Sequence, residues 1–200
     1  IHAHNICYYF SLSFLAVAKK YRVPVILHLH DYSLLSPNYL LFTETGNYEG
    51  GKRGRYWECA KDRCFKRSFI YSLLGTLVLY LHHRIFRLYG QVSMYVAPSV
   101  CMKEQVTAWR PDIKNIEVIP HGTRIRSLDE KQPGYPEKRY FLYIGRLSLE
   151  KGVDVLMKAF ARISDQNITM KIVGDGPERA RLEKLALTLG IQDRAEFLGF

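Results

Sequence analysis

The chain has 200 residues, of which 48% are hydrophobic and 24% are charged, and its formal net charge at pH 7 is +10. This composition is typical of a globular protein and excludes a disordered chain. The length suits one large domain or two small ones. The uncharged run from Ser68 to His83 has 16 residues, which is short of the roughly 20 apolar residues of a membrane-spanning helix.

The positive charge is concentrated in the first part of the chain. Residues 1–125 contain 16 Lys and Arg against 8 Asp and Glu, a net +8, whereas residues 126–200 contain 13 against 11, a net +2. Such an excess favours an anionic partner, for example a membrane surface, a lipid-linked phosphate or a nucleic acid. The alternative is a solvated basic surface without a partner.

Short β-like runs alternate with segments of helical periodicity, which predicts an α/β protein with parallel sheets. The predicted elements of the first part are helix 10–21, strand 23–29, helix 68–89, strand 93–97, helix 99–109 and strand 116–119. Ser99 is the expected N-cap of its helix. We expect helix 68–89 to be a core helix with snorkelling ends, and an interfacial helix on a membrane is the alternative.

A polar segment with two prolines and a glycine, residues 126–138, is predicted to link two domains, 1–125 and 139–200. The second domain begins with strand 140–144, followed by a helix whose apolar stripe runs from Val153 to Ile163. Strand 168–173 then leads to a helix opened by Pro177 and stopped at Gly190. A last strand covers residues 196–199.

Residues 32–67 form a long basic segment without clear periodicity, which is uncommon unless the segment is functional or disordered. Its Tyr48, Tyr56 and Trp57 lie among Lys and Arg, a pattern that suits single-stranded nucleic acid, although a solvated loop is our expectation. Cys59 and Cys64 are close in sequence, but no second pair completes a zinc site. We expect ordinary thiols, with a disulfide or a metal as alternatives, and a reducing cytoplasm.

Two glycine turns carry the candidate site of the second domain. The first contains Gly145 and Arg146 and leads to Lys151. The second is the run Gly174, Asp175, Gly176 and Pro177. Such turns lie at the carboxyl ends of parallel strands, where ligands bind, and the following helix N-terminus suits phosphate. We therefore expect Arg146 and Lys151 to hold one pyrophosphate, the alternative being two surface charges beside a turn.

Histidines supply the other candidates. His30 follows a predicted buried strand and precedes Asp31, so it is suited to bind a sugar hydroxyl or a phosphate or to transfer a proton. A satisfied structural histidine is the alternative. His2, His4 and His28 have no clear metal spacing with His30, and no metal site is predicted.

The order and spacing of several motifs resemble GT-B glycosyltransferases of family 4, the "glycosyl transferases group 1". The motif from Gly145 to Gly152, the Val173–Pro177 turn and Phe197-Leu198-Gly199 are similar to the donor domain of that family. His30-Asp31, Ala97-Pro98-Ser99 and Val118–Gly122 are similar to landmarks of its N-terminal domain. The resemblance implies two Rossmann-like domains, 1–125 on the acceptor side and 139–200 on the donor side, facing across a cleft.

The resemblance also implies a function and roles for individual residues. Arg146 and Lys151 would hold the diphosphate of a UDP- or GDP-sugar and stabilise the leaving nucleotide, while His30 would contact the transferred sugar. Gly145 and the turn Gly174–Pro177 would shape the donor pocket. The family generally retains anomeric configuration without a metal ion or other cofactor. The implied acceptor is a glycan or a lipid-linked molecule, in polysaccharide biosynthesis, in the cytoplasm and on the inner face of the membrane.

The sequence departs from the family pattern in several places. The family's Glu-x7-Glu element would lie beyond Phe200 and its N-terminal glycine turn before Ile1, so we expect an internal fragment with two incomplete domains and poor catalysis. At position 121 this chain has a histidine, whereas asparagine is more common at this place in the family that it resembles. Two hypotheses from other classes remain: a non-catalytic sugar-nucleotide or glycan-binding module, and a basic nucleic-acid-binding protein.

Overall fold

A computed structural model describes residues 1–4, 6, 11–122 and 139–200. Contacts between Cα atoms divide the chain into two compact units, Ile1–Arg124 and Ile125–Phe200. Each unit has its own parallel sheet, so the predicted α/β class is confirmed. The predicted linker 126–138 lies outside the described residues.

The first unit is built on a parallel sheet with the strand order β1-β2-β5-β6 among its described residues. Its strands in chain order are β1 (His2–His4), β2 (Ile26–His28), β3 (Phe42–Thr43), β4 (Gly46–Asn47), β5 (Met94–Ala97) and β6 (Ile116–Val118). The pair β3 and β4 forms a separate antiparallel hairpin. The predicted strands are therefore present but shorter than the apolar runs suggested.

Helices of the first unit cover the sheet and form a separate helical layer. They are α1 (Ser13–Lys20), α2 (Trp57–Asp62), α3 (Phe69–Tyr80) and α4 (Val100–Trp109), with a π-helix at Leu81–Ile85 and 3-10 turns at Lys52–Gly54 and Leu88–Gln91. The predicted N-cap of α4 is confirmed, because the Ser99 hydroxyl accepts a 3.2 Å hydrogen bond from the Met102 N–H. The predicted helix 68–89 is too long, since Arg87 has a left-handed φ of 48° and breaks it.

The segment 32–67 is more ordered than the sequence suggested. It contains the β3–β4 hairpin and α2, and the buried Asn38 side chain donates hydrogen bonds to the carbonyls of Phe42 (2.9 Å) and Cys64 (3.1 Å). Cys59 and Cys64 form a disulfide, so the expectation of ordinary thiols at this pair is wrong. The physical reason is the left-handed Arg63 (φ 49°), which turns the chain back after α2. Cys101 is exposed and unpaired.

Helix α3 buries Ser72, Thr76 and Leu79, whereas most of its large apolar side chains are exposed. Ser72 and Thr76 are buried, and their hydroxyl groups form hydrogen bonds with the backbone of preceding residues. The Thr76 hydroxyl donates to the Tyr56 carbonyl at 2.9 Å. Ile70 is 67% exposed and Leu74 is 53% exposed. The expectation of a core helix is therefore wrong, because the buried side of α3 holds mainly small polar residues and most of its large apolar side chains lie in solvent.

The second unit is a three-stranded parallel sheet in the order β7-β8-β9. Its elements are β7 (Tyr140–Ile144), a 3-10 turn at Leu149–Lys151, α5 (Val153–Phe160), β8 (Thr169–Val173), α6 (Arg179–Thr188) and β9 (Ala195–Gly199). Buried side chains from both helices, such as Met157 and Leu182, pack with Met170 and Ile172 of β8. Pro177 lies before α6 and not in its first turn, whereas Gly190 follows the helix with φ 67° as predicted.

Candidate functional site

The two glycine turns of the second unit are bonded to each other through their backbones. Gly145 N–H donates to the Val173 carbonyl at 2.9 Å, and Leu147 N–H donates to the Asp175 carbonyl at 2.9 Å. Glu178 N–H donates back to the Leu147 carbonyl at 3.0 Å. Because β7 and β8 are parallel neighbours, both turns leave the same edge of the sheet.

Glycine is required in the second turn by this close approach. A Cβ at Gly174 would overlap the carbonyl oxygen of Gly145, and a Cβ at Gly176 would overlap that of Leu147. Gly174 also has a φ of 133°, which side chains rarely adopt. The glycines therefore have a packing role that is independent of any ligand, and their predicted role in a donor pocket stays a prediction.

The predicted phosphate-binding cations, Arg146 and Lys151, are both exposed. Lys151 ends the 3-10 turn, and Gly152, with a left-handed φ of 63°, connects this turn to α5. Within the described ranges, neither cation has an ion pair or a side-chain hydrogen bond. Their charges are therefore available to a ligand.

Acidic side chains around these turns have local partners of their own. Asp175 accepts a 2.7 Å hydrogen bond from Gly176 N–H and pairs with Arg179 at 3.2 Å. Glu150 accepts a 2.5 Å hydrogen bond from the Ser148 hydroxyl. Two carboxylates beside the turns thus have partners close by, whereas Arg146 and Lys151 have no ion pair in the described part of the chain. The predicted role of Asp175 and Pro177 in binding a donor is not tested by these contacts.

In the first unit, five histidine rings form one cluster. His2 and His4 lie on β1, where the register pairs His4 with His28 of β2. Ring centroids are 4.2 Å apart for His2 and His4, 4.7 Å for His4 and His28, and 4.9 Å for His28 and His30. The ring of His121 stacks 5.2 Å from both His28 and His30.

Few ring nitrogens of this histidine cluster have a hydrogen-bond partner among the residues that the structure describes. His4 Nδ1 lies 3.0 Å from His30 Nε2, whereas the buried Nε2 of His28 has no hydrogen-bond partner among the described residues. Burial, followed by the neighbouring histidines, lowers the pKa of His28. Burial, followed by His4, also lowers the pKa of His30. Both rings therefore favour the neutral form, with a lone pair available on one nitrogen.

Sequence spacing missed the juxtaposition of His2, His4 and His28. Their ligand nitrogens lie within 4.8 Å of one another. The signal was two His-x-His pairs, one on β1 and the other beginning at the last residue of β2. Residues at i and i+2 share one face of a strand, and parallel pairing in register brought the two faces together. Spacing within one segment could not reveal this pairing.

His30 lies where the sequence predicted it, two residues beyond β2 at the carboxyl edge of the sheet, and it is exposed. The neighbouring Asp31 carboxylate accepts a 2.9 Å hydrogen bond from Ser33 N–H, which closes the turn after the strand. A cavity of about 20 Å³ is lined by residues that include His28, His30 and Asp31, and this is room for about one water molecule.

Residues 125–200 match the model of the family described as glycosyl transferases group 1. Among curated proteins, the chain is 31% identical over 144 residues to the lipopolysaccharide core biosynthesis glycosyltransferase LpsD of Rhizobium meliloti (strain 1021), covering 67% of this chain and 38% of LpsD. It is 38% identical over 69 residues to the alpha-D-kanosaminyltransferase of Streptomyces kanamyceticus, covering 34% of this chain and 18% of that enzyme.

Solved structures with the same fold include Anabaena HepE in complex with UDP-glucose, with a TM-score of 0.53 and 24% identity over 95% of this chain and 46% of HepE. A Staphylococcus aureus TarM mutant in complex with fondaparinux, alpha-GlcNAc-glycerol and UDP has a TM-score of 0.56 and 12% identity over 88% of this chain and 28% of TarM. The fold is therefore of the GT-B type.

The chain spans less than half the length of the curated relatives reported above, namely 38% of LpsD and 18% of the kanosaminyltransferase. None of the helices in the described ranges combines the length and apolar character that crossing a membrane requires.

Proposed function

We propose that this chain belongs to a family 4 glycosyltransferase that moves a hexose from a UDP- or GDP-sugar to a glycan or lipid-linked acceptor, with retention of anomeric configuration. The observation that carries the proposal is that Arg146 and Lys151, at the glycine turn after β7, are exposed and have no ion pair within the part of the chain that the structure describes. These cations lie in the part of the chain that matches the glycosyl transferases group 1 family.

The chemistry follows from where negative charge develops. When the bond from the sugar to the diphosphate breaks, the leaving nucleoside diphosphate gains charge on its phosphate oxygens. The Arg146 guanidinium offers a planar fork for two of these oxygens, and the Lys151 ammonium adds a mobile point charge. Charges that are in position before the reaction stabilise the transition state without reorganisation. We propose that they do so without a metal ion or another cofactor.

The first unit supplies the acceptor side in this proposal. His30 is exposed at the carboxyl edge of its sheet, and we propose that it contacts the transferred sugar by hydrogen bonding. Gly145 and the turn Gly174–Pro177 would form the wall of the donor pocket, because their backbones are held together by hydrogen bonds. The domain assignment, with 1–125 on the acceptor side and 139–200 on the donor side, belongs to the same proposal.

We further propose cytoplasmic polysaccharide biosynthesis on the inner face of the membrane. The net charge of +8 in residues 1–125 and the exposed apolar face of α3 support a peripheral contact with anionic lipid. The Cys59–Cys64 disulfide is unusual in a reducing compartment. Thiol alkylation of the protein in freshly lysed cells therefore tests this location, and a fully oxidised pair would contradict it.

Nucleotide binding tests the proposed donor site. Calorimetric titration with UDP, GDP and ADP is expected to give one preferred nucleotide, whose affinity falls at least tenfold in Arg146→Ala and in Lys151→Ala. Arg162→Ala and Lys184→Ala are matched controls, because both residues are exposed cations of the same unit. Equal binding by all four variants would contradict the proposal. Sugar transfer by the protein distinguishes an enzyme from a non-catalytic binding module on the same fold.

A further inference from the structure

Five histidines converge at the carboxyl edge of the β1–β2 pair, and the proposed sugar transfer employs only His30 of these. Among the described residues, His2, His4 and His28 each offer one potential ligand atom, and these three atoms all lie within 4.8 Å of one another. The three side chains come from two adjacent strands, with His4 directly opposite His28. The strand pairing therefore holds the three Cα positions in place.

We propose that His2, His4 and His28 form a binding site for a divalent transition-metal ion, such as Zn²⁺. Imidazole nitrogen suits Zn²⁺, Cu²⁺ and Ni²⁺, whereas Mg²⁺ and Ca²⁺ prefer oxygen ligands. The site is separate from the proposed phosphate-binding cations, which lie in the second unit.

A buried nitrogen without a partner is the independent observation in favour of a ligand. His28 is only 8% exposed, and its Nε2 has no hydrogen-bond partner among the described residues. An unpaired buried polar atom costs free energy, and a metal ion would remove this cost by accepting the nitrogen lone pair. His2 and His4 are exposed, so an ion has access to the site from solvent.

The cluster also provides an outer partner for one ligand. His4 Nδ1 lies 3.0 Å from His30 Nε2. In the tautomer of His4 that carries its proton on Nδ1, this N–H donates a hydrogen bond to His30 Nε2. The Nε2 of His4 then has a lone pair for the metal. Metal-bound histidines usually have such an outer hydrogen bond, which sets the tautomer and the ring orientation. His30 would then be a positioning residue for His4.

Distances between the three ligands require only side-chain adjustment. In a tetrahedral site with Zn–N bonds of roughly 2.0–2.1 Å, neighbouring nitrogens lie roughly 3.4 Å apart. The His2 and His4 side chains are exposed, so rotation about their side-chain bonds can shorten the present nitrogen separations of up to 4.8 Å to this value. Three protein ligands leave a fourth position for water, as in zinc sites that keep an open coordination position.

Metal titration of the purified protein tests this inference. Calorimetry with Zn²⁺ and visible absorption with Co²⁺ are expected to show one ion per chain and a tetrahedral cobalt spectrum. His2→Gln and His4→Gln, at exposed positions, are each expected to weaken Zn²⁺ binding at least tenfold. His28→Gln should do the same, provided that its circular dichroism and thermal melting show a folded protein.

His82→Gln is the matched control, because His82 lies in the π-helix at Leu81–Ile85 and outside the cluster. It is expected to leave Zn²⁺ affinity unchanged. Binding that is lost equally in His82→Gln, a stoichiometry well above one, or an affinity that survives His2→Gln and His4→Gln would overturn the metal site. None of these results bears on nucleotide binding at Arg146 and Lys151, so this inference and the proposed function fail separately.

Discussion

The backbone N–H of Leu147 donates a 2.9 Å hydrogen bond to the carbonyl oxygen of Asp175, and this bond joins the two glycine turns of the second unit. The turn that contains Arg146 is thereby held by the turn that contains Gly174 and Gly176. The main chain of Arg146, one of the proposed phosphate-binding cations, is thus held in place, whereas its side chain is exposed to solvent.

Gly174→Ala is expected to lower the free energy of unfolding by more than about 2 kcal/mol, because the new methyl would overlap the Gly145 carbonyl and φ is positive. Gly190→Ala is the matched control, since Gly190 also has a positive φ but a Cβ built there would have no atom within 4 Å. There we expect only the backbone cost of about 1–2 kcal/mol. Urea unfolding of both variants measures the difference, and equal losses would refute the close approach of the two turns.

Arg146→Ala and Lys151→Ala are each expected to raise the barrier to sugar transfer by about 3 kcal/mol, which is on the order of a hundredfold in rate. The reason is the loss of a charge positioned where the leaving diphosphate becomes negative. Single-turnover transfer rates measure the effect, and melting temperatures close to that of the parent would exclude unfolding. Unchanged rates in both variants would remove the diphosphate assignment.

Much of the fold and of the two glycine turns was predictable from the sequence, because apolar runs and glycine turns depend on local rules. The strand Tyr140–Ile144 and the N-cap at Ser99 are such cases. Features that depend on pairing between distant segments were not predictable in this way. The approach of His4 to His28 depends on strand register. The burial of Ser72 and Thr76 in α3, in place of its larger apolar residues, depends on contacts with segments that are distant in sequence. The Cys59–Cys64 disulfide needed the left-handed turn at Arg63.

The apolar face of α3 leads to a prediction about membrane binding. Ile70→Gln combined with Leu77→Gln is expected to reduce binding to vesicles of anionic phospholipid about a hundredfold or more, since each apolar side chain that is buried in the membrane contributes about 1.5–3 kcal/mol and about 1.4 kcal/mol is a factor of ten. Stability should change by less than about 1 kcal/mol, because both residues are exposed. Vesicle cosedimentation measures the binding, with Val155→Gln on α5 as an exposed control. Equal binding by all variants would mean that this face does not contact lipid.

Removal of the disulfide tests the order of the segment 32–67. Cys59 and Cys64 close a short loop with a sequence separation of 5 residues, so chain entropy alone predicts a stabilisation of about 2 kcal/mol. The double variant Cys59→Ser, Cys64→Ser is expected to lose about that amount in urea unfolding without reducing agent. In the presence of reducing agent, the parent and the variant should have similar stability. A loss that persists under reduction would point to packing of the cysteines and not to the cross-link.

His83 leads to a prediction about stability in acid. Burial, followed by the Arg110 guanidinium, lowers the pKa of His83 to about 3. Its Nε2 donates a 2.9 Å hydrogen bond to the Leu34 carbonyl, and its other nitrogen contacts Arg110, an arrangement that requires the neutral ring. In the unfolded chain the pKa is near the ordinary 6.5, so between pH 6.5 and 3 the unfolded state binds a proton that the folded state does not. Stability must therefore fall as the pH is lowered through this window, by at most about 1.4 kcal/mol per pH unit from this group.

Replacement of His83 by an uncharged side chain, His83→Gln, is expected to lower stability at pH 7 because the packing and hydrogen bonds are altered. The same variant is expected to show a weaker dependence of stability on pH between pH 6.5 and 3. Urea unfolding at a series of pH values measures both slopes, and identical slopes in the parent and the variant would mean that His83 does not remain neutral in the folded state.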